Sequence, residues 1–551
     1  MKKLLFFLLA AIAVITDARA QGHIQWSTRE ATPNMQANLF KGMATDRNGN
    51  TYTINFTQSS VNFYVTYRFF CYGANGVKKW QYNNDSCFTD CHDYYYAVVP
   101  LEIGGAIFVG VYEDLTGTAQ VRIKRISANG HLVWQQYWNA PFMAGDIAAA
   151  RLDQSGKLLI AFHNAFISSQ TQENYALAKF DTATGLNTWH VELPDGGTLI
   201  QPLSETFTGM ATDAGNNIYL TGTAYNPFTG TTINSYVFKM DPAGNLVYKQ
   251  QTTGVNFAGS SDIHTDPAGN IYLLGMNNAG TGVAVEQRVA ANGLFSWNKV
   301  LNHDSAFVEP VGFETMGGET YVVFNHHYFI PDSSIFGGGF NTNHHYSMAR
   351  LAYNGTVRWT RDYLADFDIN AVQFDQGGAA QMLACNNNLY VLSGLPLDDT
   401  SSYMLLQQID TAGNSVWYDS TREDFGVGAM TTDDGCNIYV SRSARLGQQT
   451  VGNLLQKFGN FSAGVGVIKH DNDIVVYPNP VLDEIHISLP ENFNAENAVA
   501  TLYDNLGRAV AVQDLHTRTA AMPVQNLAAG IYYLSVTADG QRAGVKMLVK
   551  Q

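Results

Sequence analysis

The residues of this chain that can do chemistry are few and lie far apart. His326-His327 and His344-His345 fall symmetrically about a loop containing Gly337, Gly338 and Gly339, so a simple hairpin sets one pair opposite the other. Side chains alternate faces along a strand, so one imidazole from each strand shares a face, with Cβ atoms about 5 Å apart. Imidazoles at that distance can share a transition metal, or repel when both are protonated. Coincidence in a polar, exposed loop is the plainer reading. Tyr94, Tyr95 and Tyr96, beside His92 and Asp93, offer flat amphipathic faces that can stack on a sugar, although a strand there buries alternate tyrosines. Asp46-Arg47-Asn48-Gly49-Asn50 has the acids of a calcium loop without a bidentate Glu at the twelfth position, and as a turn it needs no ion. There are five cysteines. Cys87 and Cys91 can close a small loop near Cys71, while Cys385 and Cys436 occupy one turn in neighbouring repeats at different offsets. That spacing leaves a bridge between them open. Zinc at Cys87, Cys91 and His92 lacks a fourth ligand. A nucleophile elbow, a zinc-protease helix and a phosphate loop are all missing, so the expectation is no catalytic residue and no cofactor.

What positions these residues is a repeat. Its first half is two apolar runs joined by an Asp/Gly/Asn turn, with an aromatic or aliphatic residue six positions after the turn opens. The copies are Asp46/Tyr52, Leu101/Ile107, Asp153/Leu159, Asp213/Tyr219, Asp266/Tyr272, Ala384/Tyr390 and Asp433/Tyr439, with a longer, degenerate copy from Glu314 to Tyr321. Its second half is Gly-x-x-x-Trp at Gly76/Trp80, Gly130/Trp134, Gly185/Trp189, Gly293/Trp297, Gly355/Trp359 and Gly413/Trp417, with Tyr in the Gly244/Tyr248 copy. Asp opens such turns by bonding its own backbone, and Gly supplies φ > 0. Each copy therefore makes four short antiparallel strands. The halves alternate about 55 residues apart, a propeller or solenoid period. Eight first halves are followed by seven second halves. The missing one is Gly22-His-Ile-Gln-Trp26, so an N-terminal strand is expected to complete the last sheet and close a ring. The expected fold class is all-β: an eight-bladed β-propeller, or a seven-bladed one if the Glu314 copy forms no blade. The tryptophans are expected to be wedges between neighbouring sheets.

The chain of 551 residues is 46% hydrophobic and 14% charged, the make-up of an ordinary globular protein. Its net charge of −15 argues against nucleic acid or an anionic membrane surface as the main partner. Residues 1–20 read as a signal peptide ending Ala18-Arg19-Ala20, leaving Gln21 first in an exported chain. No later apolar run is long enough to span a bilayer.

After the repeat fades (residues 21–463) and a linker (464–473), residues 474–551 form a second module of period-2 runs and Asp/Gly turns, which reads as a small immunoglobulin-like β-sandwich. Its motifs are Tyr477-Pro478-Asn479-Pro480, Asp504-Asn-Leu-Gly507-Arg508, Gly530-Ile-Tyr532 and a terminal basic-apolar strand through Lys546 and Lys550. Together they closely resemble the type A C-terminal sorting domain of the Bacteroidetes type IX secretion system. The resemblance implies recognition by the outer-membrane machinery of that system and delivery to the cell surface or beyond. In many members the domain is then removed and the cargo attached to lipopolysaccharide. The Asp-x-x-Gly-Asn-x-Tyr string at Asp266 to Gly275 resembles the short repeat of bacterial surface propellers. The string from Ala178 to Trp189 resembles the tryptophan-docking repeat of quinoprotein-like propellers. The quinone enzymes of that group imply vicinal cysteines, which this sequence lacks, so no quinone is expected.

The functional expectation is a non-enzymatic surface or released propeller that binds a glycan or a protein. The alternatives are a polysaccharide-degrading enzyme with carboxylates at the channel mouth, and a structural or adhesion component.

Overall fold

The computed structural model describes residues 20–551 except 22–23, 33–34, 60–64, 85–90, 115–118, 139–143, 165–174, 194–203, 226–231, 252–258, 267–268, 278–281, 290–291, 303–306, 332–339, 364–377, 399–400, 424–427, 446–450, 460–473, 490–497, 505–507 and 539–540. The described residues are all-β, without a helix. The chain divides into two compact units, Met1–Asn460 and Phe461–Gln551.

In the first unit eight sheets follow one another along the chain, each built of four antiparallel strands, with a two-residue parallel addition on the seventh. Their first strands are Met35–Thr45, Cys91–Pro100, Ala144–Leu152, Ser204–Thr212, Gly259–Thr265, Phe307–Met316, Gly378–Cys385 and Ala429–Thr432. Each first strand lies against the first strand of the next sheet, and the eighth against the first. The arrangement is β-propeller-like, and the first strands line its centre. The eighth sheet takes its fourth strand from the N-terminus: Ile24–Thr32 pairs with Val451–Phe458, Trp26 opposite Lys457. Just before it, Ala20 and Gln21 run parallel to Trp417 and Tyr418 at the edge of sheet seven.

The repeated residues have local jobs. Asp46 accepts the backbone N–H groups of Asn48 and Asn50 on one oxygen, and the Asn50 amide and Tyr52 hydroxyl on the other. Both oxygens are committed to the turn, which is why it needs no calcium. Asp213 and Asp433 repeat the pattern with Tyr219 and Tyr439. At the other turn, the glycine seats the tryptophan of the preceding sheet. A Cβ on Gly130 would lie 2.7 Å from Trp80, and the same holds for Gly185 with Trp134 and Gly355 with Trp297. The seated indoles donate to carbonyls of the same turns: Trp80 to Ala128 at 3.0 Å, Trp134 to Thr182 at 3.2 Å, Trp297 to Tyr353 at 2.8 Å. A third-strand cation reinforces the joint, as Arg125 does on Thr182 and Arg350 on Thr411. Trp417 faces the seam, where sheet eight has no such turn, and it stacks on Phe458 instead.

Two turns differ from expectation. Glu314 and Ala384 do not open turns. They lie within first strands, paired with Tyr321 and Leu389, because sheets six and seven turn through two residues at positive φ, Gly317-Gly318 and Asn386-Asn387. The Glu314 copy nonetheless builds a full four-stranded sheet. Cys385 and Cys436 form a disulfide that ties sheet seven to sheet eight, with Cα atoms 5.7 Å apart. Cys436 occupies the positive-φ turn position that Gly49 and Asn216 fill elsewhere (φ +58°), and the bridge explains a cysteine there. Cys71 is free and buried, its thiol pKa pushed up to about 12 by burial. The side chains of Cys87, Cys91 and His92 lie outside the described residues.

In the second unit, strands Val475–Tyr477, Glu484–Ser488 and Thr519–Pro523 form one sheet, and Ala509–Leu515, Ala498–Tyr503, Gly530–Ala538 and Gln541–Lys550 form another. Both contribute to one apolar core, including Ile485, Ile487, Leu502, Leu534 and Val536.

Candidate functional site

Every first strand but the short eighth carries a register irregularity at a shared place, and sheets one and three carry a second. Beyond the shared place, two levels of side chains share one face. The residues opposite the repeat's Tyr, Ile or Leu are Ala44, Val99, Arg151, Ala211, His264, Glu314, Leu383 and Thr431. Two residues earlier come Gly42, Ala97, Ala149, Gly209, Asp262, Gly312, Gln381 and Ala429. Small and apolar residues hold most of these places. While Gln381 on sheet seven spends its amide on the Met430 backbone, the ionisable residues gather on sheets three, five and six.

There Arg151, Asp262, His264 and Glu314 form an arc of alternating charge. His264 Nε2 lies 3.4 Å from Asp262 and its Nδ1 lies 3.8 Å from Glu314, while the ring rests on Phe313 at 4.5 Å. Arg151 donates to the Met210 carbonyl at 2.9 Å, on the first strand between. The three acid and imidazole side chains are 25–36% exposed, so they are walled by strands yet reach solvent. Burial works against a charged imidazole, but Asp262 and Glu314 outweigh it, and the pKa of His264 lies above its ordinary value. Burial also raises Glu314, against the pull of His264 and of the Ala384 N–H. For Arg151, burial lowers the pKa while Asp262 opposes the shift. The arc presents donors and acceptors to a polar ligand, with an imidazole held between two carboxylates.

Tyr94 lies one level further along the same face as Ala97 and Val99, by the register of its pairing with Val111. Tyr94 and the bulged Tyr96 are exposed, with ring centroids 6.5 Å apart. Tyr95 turns inward, packs on Phe69 and donates to Asn84, which removes it from any ligand surface.

The histidine pairs face each other in the expected register, His326 opposite His345 and His327 opposite His344. Only the His326 side chain is described. It is buried, and its Nδ1 lies 3.1 Å from Ser347 Oγ, which donates to Asp362 at 2.5 Å. Ser347 spends its proton on the carboxylate, so it is no nucleophile for His326 to activate. Among the described residues no group of three or more His, Cys, Asp or Glu is placed to hold a metal ion.

In the second unit the motif residues brace the fold. Asn479 accepts the Val549 N–H, Asp504 holds Arg508 through backbone and guanidinium, and Tyr532 donates to Ala528. Tyr477 is half exposed against His486, Gly530 opens its strand, and Lys546 pairs with Leu534 on the last. Pro478 and Pro480 follow cis bonds. Gly507 lies outside the described residues.

Residues 475–551 match the family of secretion system C-terminal sorting domains. The chain thus carries a type IX sorting tail, which implies handling by that machinery and export to the cell surface or beyond. No curated protein matches the chain. Among solved structures, the polysaccharide lyase Uly1 is 12% identical over 81% of this chain and 95% of its own, with a TM-score of 0.40. The β-propeller domain of the Trilobed protease from Pyrococcus furiosus is 9% identical over 71% and 96%, with a TM-score of 0.36. The WD40 domain of SCAP from fission yeast is 8% identical over 79% and 98%, with a TM-score of 0.30. Among the described residues no helix is long and apolar enough to cross a membrane.

Proposed function

We propose that the eight sheets are blades of an exported propeller, residues 21–463, which binds a glycan at its central channel, and that residues 474–551 are an immunoglobulin-like sorting sandwich. In this reading residues 464–473 link the two and the mature chain begins at Gln21. The observation that carries the proposal is the arc of Arg151, Asp262, His264 and Glu314, from three blades, at levels where the other blades present mostly small or apolar side chains. A sugar offers hydroxyls to such an arc and an apolar ring face to Tyr94 and Tyr96, and aromatic rings suit that face. A carbohydrate array probed with the mature protein, Glu314→Gln and His264→Gln tests this. Binding by the wild type that both variants lose supports it, whereas an array that stays blank, or binding indifferent to both changes, removes it.

A second reading is acid–base catalysis on a polysaccharide, favoured by the imidazole held between two carboxylates. New reducing ends released by the wild type and abolished in Glu314→Gln would establish it. Intact polymer after prolonged incubation would dismiss it.

A further inference from the structure

On the turn side of sheets one to three lies a cavity of about 720 Å3 that reaches Arg151. It sits where the repeat's first turn departs from its pattern. Sheet two opens that turn with Leu101 in place of Asp and runs through Glu102 and Ile103 to Gly104 and Gly105, both at positive φ. Ile103 is 76% exposed at the wall, and Arg47, Arg125 and Arg151 line the space.

Three carboxylates line it too, but each is already engaged. Asp46 is spent on its own turn, as above. Asp153 is ion-paired to Lys179 at 2.7 Å and accepts the Ser155 and Lys157 N–H groups. Burial would raise its pKa, yet Lys179, Ser155 and Lys157 hold it below the ordinary carboxylate range. Glu102 pairs with Arg47 at 3.1 Å, and Arg47 also reaches Asp434 at 3.7 Å. The guanidinia are less fully used. Arg125 gives one N–H to Thr182 and keeps a buried Nε with no acceptor, and Arg151 gives one to Met210. A guanidinium has five N–H donors in a planar fork that suits carboxylate and sulfate oxygens.

We infer that this cavity is an anion subsite, in which Arg125 and Arg151 take the carboxylate or sulfate of an acidic sugar while the Leu101 and Ile103 wall covers the ring. The inference rests on the channel-binding reading and narrows its ligand to an acidic glycan. The volume falls within the usual range for small-ligand pockets. Because Arg151 also belongs to the arc, one ligand can engage the cavity through its anionic group and the arc through its hydroxyls.

Calorimetric titration of the mature protein with glucuronate, glucose 6-sulfate, glucose and inorganic sulfate tests the subsite. Saturable binding is expected for the two acidic sugars, with glucose and free sulfate each weaker by about tenfold or more, the worth of one charge-assisted hydrogen bond. Arg125→Gln and Arg151→Gln should each lose about the same factor. Arg125→Lys and Arg151→Lys keep the charge without the fork and should recover part of it. No saturable binding of either acidic sugar, glucose bound equally well, or affinity unmoved in both Gln variants would overturn the subsite. Free sulfate bound as tightly as the sugars would overturn the sugar-shaped part of the claim. A blank carbohydrate array with these titrations intact would sink the polymer reading alone, and a positive array with failed titrations would sink the subsite alone.

Discussion

The rim and the centre of the propeller-like unit follow opposite rules. At the rim, one joint recurs from sheet to sheet: an aromatic ring over a glycine, mostly with its indole on the next turn's carbonyl and a cation beside it. At the centre, equivalent positions differ in almost every sheet, from Ala44 through Arg151 and His264 to Glu314. A residue that recurs in every unit answers a need that every unit has, which is packing against its neighbour. A residue that breaks the repeat, and meets others that also break it, answers a need of the whole ring. On the proposed reading, function sits at the centre and stability at the rim.

Removing the seam strand strains this contrast most. Deleting residues 21–30 takes away Trp26 and most of the fourth strand of sheet eight, and should lower stability by about 5 kcal/mol or more in chemical denaturation. A mature protein that melts unchanged would contradict ring closure. Next comes a single joint. Trp80→Ala should cost about 3–5 kcal/mol, since Trp80 is buried and its indole is bonded to Ala128. A loss under about 1 kcal/mol would mean that the wedge is ornamental.

Paired glycines sharpen the comparison further. Gly130 (φ +83°) seats Trp80, whereas Gly156 (φ +73°) has nothing within 4 Å of an added Cβ. Gly130→Ala should cost about 2–4 kcal/mol and Gly156→Ala about 1 kcal/mol, the first adding overpacking to the backbone strain that both share. Equal losses would show that the seat contributes only its dihedral.

The smallest expected effect is at the centre. The pKa of His264 is raised in the folded state, so its contribution is full below its unfolded value of about 6.5 and fades as pH rises through the folded value. The melting difference between wild type and His264→Gln should accordingly shrink from mildly acidic to alkaline pH. A difference that grows with pH would invert the assigned charge state.

The same contrast explains what was legible in the sequence. Turn chemistry is local, so Asp46, Gly49 and Tyr52 announce their hairpin, and Gly22 to Trp26 announces the closing strand. The Gly-x-x-x-Trp spacing marks wedges but hides that each glycine serves the tryptophan of the sheet before it, a tertiary fact. Glu314 reads as a turn residue because a two-residue hairpin changes the offset to Tyr321, and that hides its place within the first strand. Arg151, Asp262 and His264 sit inside strands with no motif around them. Their meeting depends on the packing of successive sheets and on a recurrent bulge that resets which face they share. Spacing alone does not settle the Cys385–Cys436 bridge, and folding decides it.

The central claim is that the channel arc binds while the rim holds. It is tested most directly by measuring glycan binding and melting temperature together for Glu314→Gln and Trp297→Phe. These substitutions sit on adjoining sheets, one at the centre and one at a seated joint. The expected result is that Glu314→Gln abolishes binding of the array-selected glycan with its melting temperature unchanged, while Trp297→Phe melts earlier and binds normally when folded. The account is contradicted if Glu314→Gln binds like the wild type, or if Trp297→Phe loses binding while melting unchanged.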